Sequence, residues 1–307
     1  MELKSPQPTS TKKNFLEKKT LLAPKTSRVK SPADELPVAK ICIYGHWGTG
    51  KTRTIFELLE MGYKVLCLTT DIGGSGTSTV VGEATRAGKL DLVRKNCKEI
   101  ELFDYEEVKE FIDDPTKYFP DIYEFDPDFV YWDGFSSYQA IDVSEAVGGM
   151  ARSGISENRQ ESASEAVKEG IQFEQIHWNQ IKNVTLRSIA NFCSLHNKKT
   201  GKIWHKVVLC HETEKGQPLI QGGANRLFGG AFNLIIRTVK TTNGDVESYK
   251  YLISGDSAKS RGVKFPTSMD ANFSEVWKEI QKQLGFEMGS KNPDLIEETL
   301  SYEVDKT

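Results

Sequence analysis

A glycine-rich octapeptide has the residue types and spacing of a phosphate-binding loop. It reads Gly45-His46-Trp47-Gly48-Thr49-Gly50-Lys51-Thr52 and fits G-x-x-x-x-G-K-[ST] at every fixed position. Its glycines let backbone N–H groups surround phosphate oxygens, and the predicted helix 53–60 would present its positive end to the same anion. Lys51 would reach the β- and γ-phosphates, and the Thr52 hydroxyl would bind Mg²⁺. Such turns also occur without a ligand, but the apolar strand before this one and the amphipathic helix after it favour a nucleotide site.

Asp133 is the candidate for a second magnesium-binding group, because it directly follows the apolar run 129–132. Ligands of open parallel sheets bind at the carboxyl ends of strands, so this carboxylate is suited to a metal beside the phosphate loop. An Asp that merely caps the next turn is the alternative. The following residue is Gly134, where many ATPases have a catalytic Glu.

An activating carboxylate must therefore come from elsewhere, and Asp71, at the end of the run 64–69, is the best-placed candidate. At the mouth of the sheet it could orient a water molecule in line with the γ-phosphate. Asp71 also opens a D-x-x-G match that suggests a GTPase switch, but the stretch 197–200 stops short of the base-reading N-K-x-D motif. A plain turn residue before two glycines is the third interpretation.

Two further groups could sense or stabilise the γ-phosphate. His211 directly follows the run 206–210 and could contact that phosphate as a sensor, although lone histidines are usually structural. Lys259 and Arg261 follow a predicted strand at i, i+2 and so point the same way. They could reach a nucleotide held by a neighbouring subunit, or they could belong to a charged solvent loop.

The elements that must position these residues alternate between short apolar runs and longer amphipathic ones. Strands are predicted at 41–44, 64–69, 99–103, 129–132 and 206–210. Helices are predicted at 53–61, 77–87 and 105–113. Strands that alternate with helices predict an α/β fold with a mostly parallel sheet flanked by helices.

The second half of the chain is predicted to carry a loop, a long helix and a hairpin. The glycine-bearing segment 146–170 is polar and precedes a helical pattern that reaches Phe192. Residues 217–254 have hairpin character, with Thr242-Asn-Gly-Asp245 as the turn, and a last helix is predicted at 272–284.

The composition bounds the class of protein. The 307 residues are 38% hydrophobic and 27% charged, with a formal net charge of −3, as in a globular protein of one large domain or two small ones. The chain shows neither a membrane-spanning run nor a secretory signal, so we expect a cytoplasmic location. We expect a flexible basic arm at 1–36, a domain at 37–285 and an acidic flexible tail at 286–307.

The five cysteines favour reduced thiols over disulfides. Cys42, Cys67 and Cys210 lie within apolar strand-like runs, and no C-x-x-C pair is present. Cys193, His196, His205, Cys210 and His211 fall in a short span that could suggest zinc. Their spacing is not that of a compact zinc motif, so zinc is the minor alternative.

Taken together, the motifs resemble the RecA-like branch of P-loop ATPases, and more closely the AAA-type ATP-binding proteins of phages that act as RecA-like single-strand annealing recombinases. The resemblance covers about 38–284 and rests on the phosphate loop, Asp71 with its glycines, Asp133, His211, the run Gln217-Pro-Leu-Ile-Gln-Gly222, and Lys259-Ser-Arg261. It implies a RecA-like P-loop NTPase core with a C-terminal hairpin extension, and ATP and Mg²⁺ as cofactors. It also implies that the Lys-x-Arg cations reach ATP across a subunit interface.

The chain departs from that family at two positions. Gly134 stands where the family usually has Ser, and Asp71 stands where the RecA-type catalytic acid is Glu. A carboxylate that is shorter by one methylene displaces the water by more than about 1 Å, so we expect slow hydrolysis.

The resemblance leads to two hypotheses about the partner. In the first, an oligomeric ring or filament binds single-stranded DNA in phage or mobile-element recombination, repair or replication. The loop 146–170 would face the DNA, with Arg152 and Arg159 on phosphates, although its four glutamates argue against a simple basic groove. In the second, ATP orders the same loop against a protein partner, such as a single-strand-binding, replication or packaging factor. A small-molecule kinase lacks an evident arginine-rich lid.

Overall fold

The computed structural model describes residues 38–71, 76–139, 175–220, 224–243, 246–253 and 265–284. For 175–181, 225–226 and 284 it describes the backbone alone. The predicted arm, the loop 146–170, the tail, Lys259 and Arg261 all lie outside the described residues. What was predicted of them stays a prediction.

Eight strands of the described chain form one sheet. They are β1 (Lys40–Gly45), β2 (Val65–Thr69), β3 (Cys97–Glu101), β4 (Phe129–Asp133), β5 (His205–Cys210), β6 (Leu234–Asn243), β7 (Val246–Ile253) and β8 (Ser268–Asp270). Their order across the sheet is β3-β2-β4-β5-β1-β6-β7-β8. The first six are parallel, and β7 and β8 are antiparallel additions at one edge.

Helices cover both faces of this sheet. In the described residues they are α1 (Arg53–Glu60), α2 (Ser78–Arg86), α3 (Leu90–Asn96), α4 (Tyr105–Asp113), α5 (Ile122–Phe125), α6 (Gln175–Ser194), α7 (Asn225–Phe228) and α8 (Phe273–Leu284). The predicted fold class is confirmed: an α/β fold with a mostly parallel sheet between helices and a C-terminal hairpin.

The central strands are buried on both faces, which explains why they are continuously apolar rather than alternating. In β1, Ile41 and Ile43 pack into the cluster that contains residues of α1, α2 and α8. Cys42, between them, packs into the opposite cluster with residues of α4 and α6. The two cores hold β1 between β5 and β6 and thereby fix where the phosphate loop begins.

The structure differs from the predicted elements in several places, and the short elements α5 and β8 were not predicted. Helix α3 was not predicted, because its sequence Leu-Asp-Leu-Val-Arg-Lys-Asn is mostly polar. Strand β3 begins two residues before the predicted run 99–103, because Cys97 pairs with Val65 at the sheet edge. The described residues 224–233 were wrongly predicted as part of the hairpin, since α7 and a 3₁₀ turn occupy Asn225–Ala231, and the hairpin starts at Leu234.

All five cysteines are described, and none forms a disulfide. Cys42, Cys67 and Cys210 are buried in the sheet. Burial raises the thiol pKa of Cys42 and of Cys67 well above the ordinary value.

Lys206 is a fully buried cation in the middle of the fold. Its Nζ donates to the carbonyl oxygens of Leu195, at 2.8 Å, and Trp204, at 2.6 Å, at the end where β5 begins. Burial lowers the pKa of this amine to about 7, because the charged form is poorly solvated there.

We expect Lys206 to make the free energy of unfolding rise as the pH increases above 7. The unfolded chain holds the Lys206 proton up to about pH 10.4, whereas the folded chain releases it near pH 7. The free energy of unfolding should therefore rise by up to about 1.4 kcal/mol per pH unit from this group between pH 7 and 9. Urea unfolding at pH 7, 8 and 9 should show that Lys206→Met loses this rise, while the exposed control Lys95→Met keeps it. Equal slopes in all three proteins would contradict the prediction.

Candidate functional site

The phosphate loop connects the end of β1 to the start of α1, and its glycines serve two different needs. Gly48 and Gly50 have φ angles of 69° and 86°, a region that favours glycine. Gly45 instead lies close to β6, because a Cβ atom there would come within 2.2 Å of Thr238 Oγ1. The loop thus needs glycine for conformation at two positions and for close approach at one.

Two side chains of the loop hold it in shape. Thr49 Oγ1 donates to the carbonyl oxygen of His46 at 2.8 Å and lies 2.6 Å from Thr238 Oγ1. Lys51 Nζ donates to the carbonyl oxygens of Gly45 at 3.0 Å and His46 at 2.9 Å. Burial lowers the pKa of Lys51, while the charge of Asp133 acts in the opposite direction. The two hydrogen bonds hold the ammonium group back over the start of the loop, at the edge of the cavity that Lys51 lines.

Thr52 follows β1 and Asp133 is the last residue of β4. The two side chains meet although these strands are not neighbours in the sheet. Thr52 Oγ1 donates to Asp133 Oδ2 at 3.0 Å, with β5 lying between β1 and β4 in the sheet. Burial raises the pKa of Asp133 to about 6, the hydrogen bond from Thr52 lowers it, and the charge of Asp71 raises it further. Both residues line a cavity of about 510 Å³ that also contains Lys51 and Asp71.

The oxygen atoms at this point fit a magnesium ion. A hydroxyl and a carboxylate are the hard ligands that Mg²⁺ prefers, with phosphate oxygens and water completing its shell. Gly76 supports this reading, because a Cβ atom there would lie 2.1 Å from Asp133 Oδ2. Any larger residue at that position would fill the space beside the carboxylate.

Asp71 lies in the same cavity, held by the residues that follow β4. Ser137 Oγ donates to Asp71 Oδ1 at 2.7 Å. The backbone N–H of Thr70 donates to the carbonyl oxygen of Asp133 at 2.9 Å, which joins the ends of β2 and β4. The sequence-predicted Asp71 and Asp133 are thus brought side by side, with Asp71 oriented by a serine that the sequence pattern did not single out.

Gly134 explains why this protein has no Glu directly after Asp133. Its φ angle is 83°, and a Cβ atom would come within 2.6 Å of the backbone nitrogen of Asp71. A side chain at 134 would therefore be strained and would displace the segment that carries Asp71. The packing of the backbone around position 134 therefore disfavours a glutamate there.

His211 also reaches the cavity, and it is covered by Trp47. The rings of Trp47 and His211 stack with centroids 3.9 Å apart and an interplanar angle of 29°. Burial lowers the pKa of His211, and the charge of Lys51 lowers it further, which favours the neutral imidazole. Trp47, whose role the sequence left unexplained, remains 72% exposed and joins the phosphate loop to the end of β5.

An ion pair between Glu212 and Arg237, whose side chain is 34% exposed, was not predicted from the sequence. The Glu212 carboxylate accepts a hydrogen bond from the Arg237 guanidinium, and its other oxygen lies 4.0 Å from His46 Nε2. The Glu212 side chain is fully buried. Only its position next to His211 could have drawn attention to it, because Arg237 is far away in sequence and meets it only in the folded sheet.

Two other classes of site receive no support from the described part of the chain. There, no group of three or more His, Cys, Asp or Glu side chains is arranged to hold a metal ion, so the described residues give no support to a zinc site. Among the same residues, none of the helices has the length and apolarity needed to cross a bilayer.

Comparisons with known proteins add little. No protein-family model matches the chain, and no curated protein matches it either. One solved structure with some likeness is the KaiC-like protein PH0186 from the hyperthermophilic archaeon Pyrococcus horikoshii OT3, which is 11% identical. The alignment covers 70% of this chain and 77% of that one, with a TM-score of 0.36. A likeness this weak carries no argument about activity or partners.

We expect Gly134→Ala to destabilise the fold more than an ordinary glycine replacement. The variant should lose about 2 to 3 kcal/mol of unfolding free energy, because positive φ and the contact with Asp71 add together. Gly88→Ala is the matched control, since Gly88 has a φ of 68° but a Cβ there would meet nothing within 4 Å. It should lose only about 1 kcal/mol. Chemical denaturation measures both, and equal losses would show that the contact with Asp71 has no energetic weight.

Proposed function

We propose that this protein binds ATP with Mg²⁺ and hydrolyses it to ADP and phosphate. The observation that carries the proposal is the 3.0 Å hydrogen bond between Thr52 Oγ1 and Asp133 Oδ2, inside a cavity that also contains Lys51. A phosphate loop, a hydroxyl and a strand-end carboxylate at one point are the groups that position a metal–triphosphate complex.

Each group has a distinct task in this proposal. The loop backbone and Lys51 bind the β- and γ-phosphates, and the positive end of α1 faces the same charge. Thr52 and Asp133 hold Mg²⁺, which, when bound, neutralises charge on the phosphate oxygens. His211 lies where it can contact the γ-phosphate, and Trp47 keeps its ring in place.

Asp71 orients the attacking water. The water oxygen forms a bond to the γ-phosphorus as the bond from that phosphorus to the β–γ bridging oxygen breaks. The water proton passes through the Asp71 carboxylate to solvent, and the leaving oxygen stays on ADP. Ser137 fixes one Asp71 oxygen at 2.7 Å, and the other oxygen, which accepts no hydrogen bond from the described residues, would accept from water. Because the carboxylate is shorter than that of Glu, we expect slow turnover that a partner stimulates.

Substitutions at three site residues separate binding from chemistry. Asp71→Asn should keep magnesium-dependent ATP affinity within about threefold and lower kcat by about 100-fold or more. Asp133→Asn should lose the magnesium dependence of binding, and Lys51→Ala should weaken ATP binding with or without metal. The exposed control Asp121→Asn should behave like the wild type.

Calorimetric titration with ATP and release of inorganic phosphate measure these effects. Wild-type protein that binds no nucleotide in the presence or absence of Mg²⁺ would overturn the proposal. An unchanged kcat in Asp71→Asn would remove Asp71 alone from the mechanism.

We further propose that the protein forms a homo-oligomer in which Lys259 and Arg261 act on a neighbour's nucleotide. The resemblance to RecA-like annealing proteins supports this proposal. Light scattering with ATP should detect a larger species, and Lys259→Ala and Arg261→Ala should each reduce its size and slow hydrolysis by roughly tenfold or more. If neither oligomer size nor hydrolysis changes in either variant, the role in trans is wrong.

We propose single-stranded DNA as the second ligand, in recombination, repair or replication of a phage or mobile genome. The resemblance supports DNA, and an ATP-driven switch on a protein partner is the alternative. Filter binding of single-stranded DNA, with and without a nonhydrolysable ATP analogue, should show binding that weakens with salt. The absence of such binding in both states would reject DNA, and stimulation of the ATPase by a purified replication protein alone would support the alternative.

A further inference from the structure

The nucleotide cavity extends well past the phosphate loop, towards the antiparallel edge of the sheet. Besides Asp71 and Asp133 at one end, it is lined by Tyr249, Tyr251 and Ala271 at the other. In the sheet order, β2 and β4 lie on one side of β1, and β6 and β7 lie on the other. The two ends of the cavity therefore belong to opposite sides of the phosphate loop.

The hairpin of β6 and β7 rises beyond the loop. The last residue of β1, Gly45, pairs with Thr238, and β6 continues through Asn243 while it pairs only with β7. Five further residues at about 3.4 Å each extend the hairpin by roughly 17 Å on the side where α1 begins. This extension forms a wall beside the cavity.

Tyr249 and Tyr251 point to the same face of that wall, because they are two residues apart in one strand. Tyr251 is buried in the core cluster that contains residues of α1. Tyr249, one step farther out, is half-buried and lines the cavity. Its position thus follows directly from the core contact of Tyr251.

The ring of Tyr249 is held in place by its neighbours. Its hydroxyl donates to Glu247 Oε2 at 3.2 Å. Lys240, directly opposite on β6, places its Nζ 5.8 Å from the ring centroid. An aromatic ring fixed at two points loses little entropy when another ring stacks on it.

Arg53 is fixed at the same end of the cavity. Its Nε lies 3.6 Å from Glu57 Oε1, and the other oxygen of Glu57 accepts from the backbone N–H groups of Phe273 and Ser274. The Arg53 side chain is nevertheless about half exposed. It presents a cation at the first turn of α1, beside the wall that carries Tyr249.

Geometry decides which part of a nucleotide lies here. The γ-phosphate must lie near the metal ligands Thr52 and Asp133, on the β4 side of the loop. The other end of the triphosphate then leaves the loop in the opposite direction, towards β6 and β7. We propose that Tyr249, with Arg53 beside it, forms the subsite for the nucleoside, in which the base stacks on the tyrosine ring.

This inference rests on the proposed nucleotide site and names its base-binding part. Stacking uses the π face that every base has, so the subsite selects nucleoside triphosphates over inorganic polyphosphate and hardly separates ATP from GTP. Base–aromatic stacking is worth about 1–3 kcal/mol per base, which corresponds to roughly 5- to 150-fold in affinity.

The subsite is tested by measuring the affinity of the protein for three probes, each with Mg²⁺. The probes are ATP, GTP and inorganic tripolyphosphate. Tyr249→Ala should weaken ATP and GTP by at least fivefold and leave tripolyphosphate within twofold. Tyr249→Phe, which keeps the ring, should remain within about threefold for every probe. Phe103→Ala is the control, because Phe103 is an aromatic residue, 69% exposed, that lies at the opposite edge of the sheet, away from the cavity.

The outcomes distinguish the subsite from the nucleotide site itself. If Tyr249→Ala weakens tripolyphosphate as much as ATP, its effect is on the fold of the hairpin, and the stacking role is overturned. Unchanged ATP and GTP affinities in Tyr249→Ala would overturn it as well, while wild-type binding of tripolyphosphate keeps the phosphate site intact. Wild-type protein that binds none of the three probes would overturn the proposed function together with the subsite.

Discussion

The hydrogen bond from Thr52 to Asp133 is the constraint on which the site depends, because it joins two strands that are not neighbours. With β5 between them, β1 and β4 lie two strand spacings apart, about 10 Å. The phosphate loop must therefore reach across the end of β5 before its threonine meets the aspartate. A slip of one residue in the pairing of β4 with β5 would turn Asp133 to the other face of the sheet. The buried cores on both faces of the sheet prevent that slip.

The charged groups that line the cavity lie close together at a cost in free energy. The cavity brings together two carboxylates, Asp71 and Asp133, and a lysine whose charge is poorly solvated. In the proposed function, a metal–triphosphate complex would neutralise the carboxylates and give the ammonium group a charged partner. Destabilised charges of this kind are typical of functional sites rather than of structural ones. The same cavity reaches Glu57, whose carboxylate ties α1, the helix that follows the phosphate loop, to the beginning of α8.

A feature of this structure could be predicted from the sequence when a short stretch of residues determines it. The phosphate loop, Asp133 and the strand–helix alternation are set by short stretches whose periodicity is visible in the sequence, and the α/β fold was predicted correctly from them. Gly76, Ser137 and the Glu212–Arg237 pair depend on contacts between distant segments, which no spacing rule reports. Helix α3 was missed because its polar sequence forms a helix only in its tertiary context.

Gly134 limits how the proposed ATPase site could change in evolution. A glutamate beside the magnesium aspartate is one familiar arrangement of P-loop ATPases, but here the first mutational step towards it collides with the backbone that carries Asp71. A glutamate at position 134 would displace Asp71 before the glutamate itself was well placed. The evolutionary intermediates would therefore have neither carboxylate in position. In the proposed mechanism, Gly134 therefore keeps the activating carboxylate at Asp71, and the rate of hydrolysis could be adjusted only through other residues of the cavity.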